Sequence, residues 1–336
     1  MHSMREPLRS VASLRSVAWR KGLAALILLG LFSITALAQT ATTQVPLDPA
    51  LGITTIPLWN RPAPDARGEA VTDTPTLTVL QPTHPNGTAI IIAPGGAYLH
   101  LSANLEGRQP GDRLAALGVT VFILKYRLGP TYLYPVPLED ARRAVRLVRS
   151  LAAKYGYSPD RIGMMGFSAG GHLTAITGTL PEPGRPDDAD PVEHESSQLN
   201  FMVLVYPWLN AMQPQVEGPR GPMINYCSVT HGLSQADCAR LNPDYTPALH
   251  VSNNTPPAIL FHATTDSTVP VTTSVQFYSA MQAAGRDCEL HIFAHGPHGF
   301  GTGGSDPALS EWPHILENWM REHGWLTPLP TPPVGR

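Results

Sequence analysis

Residues 161–175 read RIGMMGFSAGGHLTA. The first seven are dominated by apolar and small side chains, as a strand covered on both faces requires, and the residues from Ala169 onward have the small side chains and length of a helix. Ser168 stands between the two with no loop residue to spare. So tight a strand-to-helix reversal forces the intervening residue into a strained backbone, and Gly166 and Gly170 remove the Cβ atoms that would collide there. The serine oxygen is then expected clear of the strand's carboxyl end, above the free amides of a helix N-terminus, where negative charge is favoured. A plain glycine-rich turn would satisfy the five letters G-x-S-x-G alone. The strand before them and the helix after them favour a nucleophile elbow.

A hydroxyl near neutral pH needs a base to take its proton and an acid to hold that base. In a fold of this kind both follow at the ends of later strands, acid first and histidine second. Asp266 comes just past the run AILFHA, within TTDSTVP, and past CELHIF the loop AHGPHGFG offers His295 and His298. His298 is preferred, because a glycine-containing loop lets its imidazole fold back over the strand ends, whereas His295 is close enough to the strand to be pointed by it. A tetrahedral intermediate also needs backbone N–H groups about 3 Å from its oxyanion. Ala169 is one expected donor. Gly96 and Ala97, in the loop of AIIIAPGGAYLH, are the others, with Gly95 and Gly96 letting the backbone approach. Tyr98 and Trp208 follow strand ends and are candidates to line an acyl or sugar subsite, with simple packing as the alternative.

Working outward, short apolar runs with strand chemistry recur at LTVL, AIIIA, VTVFILKY, RIGMMGF, FMVLVY, AILFHA and CELHIF. Helical spacing separates them. Between 137 and 155, Ala141, Ala144, Val145, Val148, Leu151, Ala152 and Tyr155 recur at i, i+3, i+4 and i+7, with Arg142, Arg146 and Arg149 at other positions and Gly156 as the stop. Val271, Val275, Tyr278 and Met281 mark another helix ending at Gly285, and ALSEWPHILENWMREHGW a last one. Strand alternating with helix implies an α/β fold with a doubly wound, mostly parallel sheet, over residues 74–326. Two stretches break the rhythm: 179–200 is polar and proline-rich, a surface loop, and 208–255 is expected as a small cap over the site.

The ends carry different information. Residues 1–22 hold Arg5, Arg9, Arg15, Arg20 and Lys21 against Glu6, followed by an apolar run that closes on Ala36-Leu37-Ala38. That is the pattern of a cleaved export signal, 1–38, and places the mature chain outside the cytoplasm, secreted or periplasmic. Losing its charge of +4 moves the chain from −3 to about −7, which argues against nucleic acid or an anionic membrane as partner. Residues 39–73 read as an extended lead-in anchored by Trp59, and 327–336 as a disordered tail. Cys227 and Cys238, eleven apart in an irregular stretch, could be bridged or free, while Cys288 opens an apolar run and is expected to pack. No residues show metal-ligand or nucleotide-binding spacing, so neither metal nor other cofactor is expected.

The pieces LTVLQP, GTAIIIAPGGAY, VFILKYRL, YPVPLEDARRAVRLVRSLAAKYGYSPDRIGMMGFSAGGHL, FMVLVYP and PPAILFHATTDSTVPV, with HGPHGFG, resemble the α/β-hydrolase superfamily. Within it they are similar to bacterial esterases of the acetyl xylan and related carbohydrate esterase type. The resemblance implies Ser168 as nucleophile, His298 as base and Asp266 as orienting acid, with the PGGA loop and Ala169 as oxyanion hole. It also implies a small ester or acetylated carbohydrate as substrate. Two departures stand out: Ala97 replaces a third glycine on the acyl side, and Pro297 stands before the histidine where a second glycine is more usual. A prolyl-oligopeptidase-type peptidase would share the triad order but carries a large propeller upstream, where here only 39–73 precede the core. A catalytically silent secreted binding protein is the rival from another class, and the complete set of catalytic positions speaks against it. Of the remaining polar groups, His172, Glu106, Asp140 and Asp160 are expected to be structural.

Overall fold

The computed structural model describes residues 53–327, apart from 212–216, 219–220, 223–225 and 227–232. Residues 1–38, expected as an export signal, Cys227 and the tail from residue 328 lie outside the described residues. The sheet has eight strands: β1 (Ile53–Pro57), β2 (Thr76–Leu80), β3 (Ala89–Ala93), β4 (Thr120–Lys125), β5 (Ile162–Phe167), β6 (Phe201–Val205), β7 (Ala258–Ala263) and β8 (Cys288–Phe293). Their order is β1-β2-β4-β3-β5-β6-β7-β8, with β1 and β2 antiparallel to their neighbours and the rest parallel.

Parallel strands need crossovers, and helices supply them. They are α1 (Gln109–Ala116), α2 (Val136–Ser150), the short α3 (Ala152–Tyr155), α4 (Ala169–Thr179), α5 (Gln235–Tyr245), α6 (Thr272–Ala283) and α7 (Trp312–Glu322). The continuous apolar runs follow from burial on both faces. In β3, Ile90 and Ile92 join Val121, Met165 and Phe261 on the face covered by Leu114 of α1 and Trp312 and Leu316 of α7. Ile91 points the other way, among Phe122, Met164 and Leu204, towards Leu138 and Val145 of α2, Leu173 of α4 and Phe277 of α6.

Within the expected lead-in, residues 53–57 form the edge strand of the sheet, pairing Ile53 with Leu80 through Pro57 with Thr76. Only Ile53 of that strand is fully buried, so the apolar signal of a central strand is missing from ITTIP. Trp59 does anchor the segment: it is buried, with the Arg127 and Arg143 guanidinium groups 5.8 and 5.4 Å from its ring. Arg127 is in turn held by the fully buried Asp140 at 2.7 Å, so Asp140 is structural.

The arginines of α2 do not face solvent. Arg143 and Arg146 are buried, and with Arg142 they hold the 179–200 loop through Glu182, Asp190 and Glu193. In the 208–255 insertion the described residues include a two-residue antiparallel ribbon, Glu217–Gly218 with Gly221–Pro222, and α5. Cys238 of α5 is buried and disulfide-bonded, and Cys288 is free. Among the described residues no helix is long and apolar enough to cross a membrane.

Candidate active site

Ser168 sits between the last residue of β5 and the first of α4 at φ 50°, ψ −117°, a conformation that L-residues seldom adopt. The reversal is possible because nothing stands where two side chains would be. A Cβ on Gly166 would collide with the Gly170 carbonyl and the Thr174 side chain, and one on Gly170 with the Ala93 carbonyl. The strained residue is held on both sides. Its N–H donates to Val205 O at 3.1 Å, and its carbonyl accepts from Trp208 N at 2.9 Å and His172 N at 3.1 Å.

Three side chains from three strand ends meet here in one line. His298 Nε2 lies 2.8 Å from Ser168 Oγ, and His298 Nδ1 lies 2.7 Å from Asp266 Oδ2. His295, earlier in the same loop, is exposed. Asp266 is locked in place: its Oδ1 accepts from the Thr268 and Val269 N–H groups at 2.8 and 2.9 Å. Burial alone would raise its pKa, but hydrogen bonds from His262, His298 and the Val269 amide outweigh burial and hold the carboxyl well below the usual carboxylate range. It is therefore ionised at neutral pH.

The loop after β3 lies against Ser168, since a Cβ on Gly95 would come within 2.8 Å of Ser168 Cβ. Gly96, Ala97 and Tyr98 have φ of 132°, 55° and 61°. Two consecutive non-glycine residues in the left-handed region make this a costly turn, at about 1–2 kcal/mol each. The place where the resemblance leads one to expect a third glycine is thus occupied by an alanine in a glycine conformation. Ala169 opens α4 and is fully buried.

Tyr98 and Trp208, candidates either for a subsite or for simple packing, are both buried. Tyr98 has no exposed surface, and its ring packs edge-on against Tyr126, Tyr134, His172 and Tyr226. Trp208 is 2% exposed, and its backbone N–H braces the elbow. A position after a strand end does not fix side-chain direction, and here the positive φ of Tyr98 turns its ring inward.

The Tyr98 hydroxyl lies 2.7 Å from His172 Nδ1 and 2.8 Å from the Tyr134 hydroxyl, and His172 Nε2 lies 2.8 Å from the Tyr245 carbonyl at the end of α5. A carbonyl can only accept, so Nε2 carries the proton and Nδ1 accepts from Tyr98. This packed histidine ties the elbow helix to the strained loop and to the insertion. Burial pushes its pKa down to about 4, against the opposing effect of the bond to Tyr245. The unfolded imidazole takes up a proton near pH 6.5, so between 6.5 and about 4 the unfolded chain binds more protons and stability falls as pH falls. His172→Gln is expected to remove roughly 3 kcal/mol of that acid-side decline, read by urea unfolding at stepped pH. An unchanged slope would show that His172 is not the group responsible.

Sequence reasoning passed over His262 and Tyr206. His262 is fully buried in β7, with Nε2 3.2 Å from Asp266 Oδ2 and Nδ1 2.8 Å from Ser274 Oγ. Its signal was a polar residue inside an otherwise apolar strand, four positions before the acid. Tyr206, directly after β6, packs its ring edge-on to His298 with centroids 5.1 Å apart. Nothing local marks it.

A nucleophile elbow on this sheet, with acid and histidine supplied by the loops after β7 and β8, defines the α/β-hydrolase class. The chain belongs to the BD-FAE family, whose model matches residues 78–281. An acetylxylan esterase of Xylanibacter ruminicola is 35% identical over 260 residues, covering 76% of this chain and 48% of that protein. Among solved structures, an acetyl ester-xyloside bifunctional hydrolase from Caldicellulosiruptor lactoaceticus is 33% identical with a TM-score of 0.71, covering 81% of this chain and 97% of the other. The propionate-bound thermophilic esterase Est2 of Thermogutta terrifontis is 27% identical with a TM-score of 0.65, covering 83% and 97%. The chain spans about half the length of the curated relatives it matches first, 48% and 54%.

Proposed function

We propose that this chain is an exported serine esterase that hydrolyses short-chain carboxylic esters and deacetylates plant-wall polysaccharide or oligosaccharide. The observation that carries the reading is the line Ser168 Oγ to His298 Nε2 at 2.8 Å and His298 Nδ1 to Asp266 Oδ2 at 2.7 Å, on a strained elbow.

The ionised Asp266 accepts the Nδ1–H of His298, which leaves Nε2 as the acceptor for the serine proton. As Ser168 Oγ bonds to the ester carbonyl carbon, that proton passes to Nε2, and the carbonyl oxygen becomes an anion facing the N–H groups of Gly96, Ala97 and Ala169. Collapse breaks the bond to the alcohol, which leaves with the proton from Nε2. Water then attacks the acyl-enzyme, giving up its proton to the same nitrogen, and collapse breaks the bond from the acyl carbon to Ser168 Oγ, which takes that proton back as the acid leaves.

Short acyl groups are favoured by the alanine at position 97, by the propionate bound to the Thermogutta esterase and by the acetyl esters named for two relatives. Export is supported by the basic, then apolar, then Ala-Leu-Ala order of residues 1–38 and by the disulfide at Cys238, since such bonds persist in oxidising compartments. A panel of p-nitrophenyl esters from acetate to octanoate, run beside acetylated xylan, tests the substrate class. Acetate release from xylan is expected, with kcat/KM falling about tenfold or more from acetate to octanoate. Equal or rising values along the series, with no acetate from xylan, would replace this reading with a lipase-like one.

A further inference from the structure

Glu106 lies outside the triad, yet it is 4% exposed in a single π-helical turn, Asn104–Arg108, that leads into α1. A carboxylate taken out of water needs donors, and it has two. Oε2 accepts from the Gly95 N–H at 2.8 Å, and Oε1 accepts from the Tyr206 hydroxyl at 2.9 Å. The same hydroxyl accepts from the Gly301 N–H at 3.1 Å. Gly95 begins the strained loop that faces Ser168, and Gly301 belongs to the loop that carries His298. The carboxylate stands close to the chemistry, because the point 2.7 Å from Oε2 where Gly95 would carry a Cβ is only 2.8 Å from Ser168 Cβ.

Resting on the esterase reading above, we infer that Glu106 is a positioning residue that, through Gly95 and Tyr206, sets the oxyanion loop and the His298 loop in register. One carboxylate can accept from both donors at once. A glutamine has one acceptor oxygen and an NH2 group: with the oxygen on the Gly95 N–H, its NH2 meets the Tyr206 hydroxyl as a donor, so that hydroxyl must turn its proton away and accept from both the NH2 and the Gly301 N–H, and the common anchor of the two loops is weakened. The interaction is made before and during the reaction by groups that do not bind the substrate's distal parts, so its loss falls on kcat and leaves KM unchanged.

The test uses the full chain with p-nitrophenyl acetate. Glu106→Gln is expected to unfold within a few degrees of wild type and to lose about tenfold to a hundredfold in kcat at a KM within about twofold. Wild-type kcat in a folded Glu106→Gln would overturn the inference. If that variant does not fold, Tyr206→Phe decides, because it keeps the carboxylate and removes the link to Gly301. A loss of about threefold to tenfold in kcat at constant KM supports the inference, and a wild-type kcat overturns it. A fluorophosphonate separates the two layers. Full labelling of Ser168 in wild type alongside an unimpaired Glu106→Gln sinks this inference alone, whereas no labelling of Ser168 sinks the esterase reading and this inference with it.

Discussion

Ser168→Ala is expected to lower kcat for a short-chain p-nitrophenyl ester by at least about 10⁴-fold while leaving the fold intact. The hydroxyl oxygen is the only atom lost, and it is the one 2.8 Å from His298 Nε2. Without it no acyl-enzyme forms, and what remains is water attacking a carbonyl polarised by the oxyanion donors, a residual that such sites retain. The backbone should tolerate the change. Alanine faces the same left-handed strain as serine at φ 50°, and Ala97 of this chain already adopts φ 55°. Thermal unfolding within a few degrees of wild type, beside a rate measured at high enzyme concentration, checks both halves. A variant that keeps more than about a hundredth of the activity would place the nucleophile elsewhere.

Asp266→Asn is expected to cost about 10³–10⁴-fold in kcat, for a reason specific to how the acid is held. The two backbone N–H groups on Oδ1, from Thr268 and Val269, demand an oxygen there. An asparagine satisfies them only by turning its NH2 group towards His298. That NH2 donates to Nδ1, so the imidazole carries its proton on Nε2, where it can no longer accept from Ser168. Size and shape are nearly unchanged, and the defect is one of tautomer. Because a deprotonated imidazole is needed and the wrong nitrogen bears the proton, rising pH should recover little of the loss within the neutral range. A variant with less than about a tenfold loss would mean that the orientation of His298 does not depend on this carboxylate.

What the sequence reveals of this molecule depends on how local each signal is. The parallel strands are legible because each must be apolar on both faces, and AIIIA and AILFHA can hardly be anything else. β1 escapes because only Ile53 of it is buried, and α1 because Pro110 and Gly111 in its first turn look like loop chemistry, although proline suits a helix start. Ser168 is legible because its strain requires glycines two residues away on either side. Asp266 and His298 are legible because chain order and strand ends restrict where they can be. Tyr98 and Trp208 show the limit: the strand end gives a position, while backbone conformation sends the ring inward. Glu106 and Tyr206, a hundred residues apart, meet only once the sheet has formed, and no spacing rule connects them. His262 carried a signal, a histidine in an apolar strand, whose meaning depends on the carboxylate one loop away.

The most direct measurement is covalent. Incubation of the full chain with a fluorophosphonate, followed by digestion and mass mapping, should give one adduct per chain on the peptide that carries Ser168, slowed by a saturating short-chain ester and absent after His298→Ala. An adduct on a different residue, or none on a preparation that is turning over ester, would contradict the account at its base.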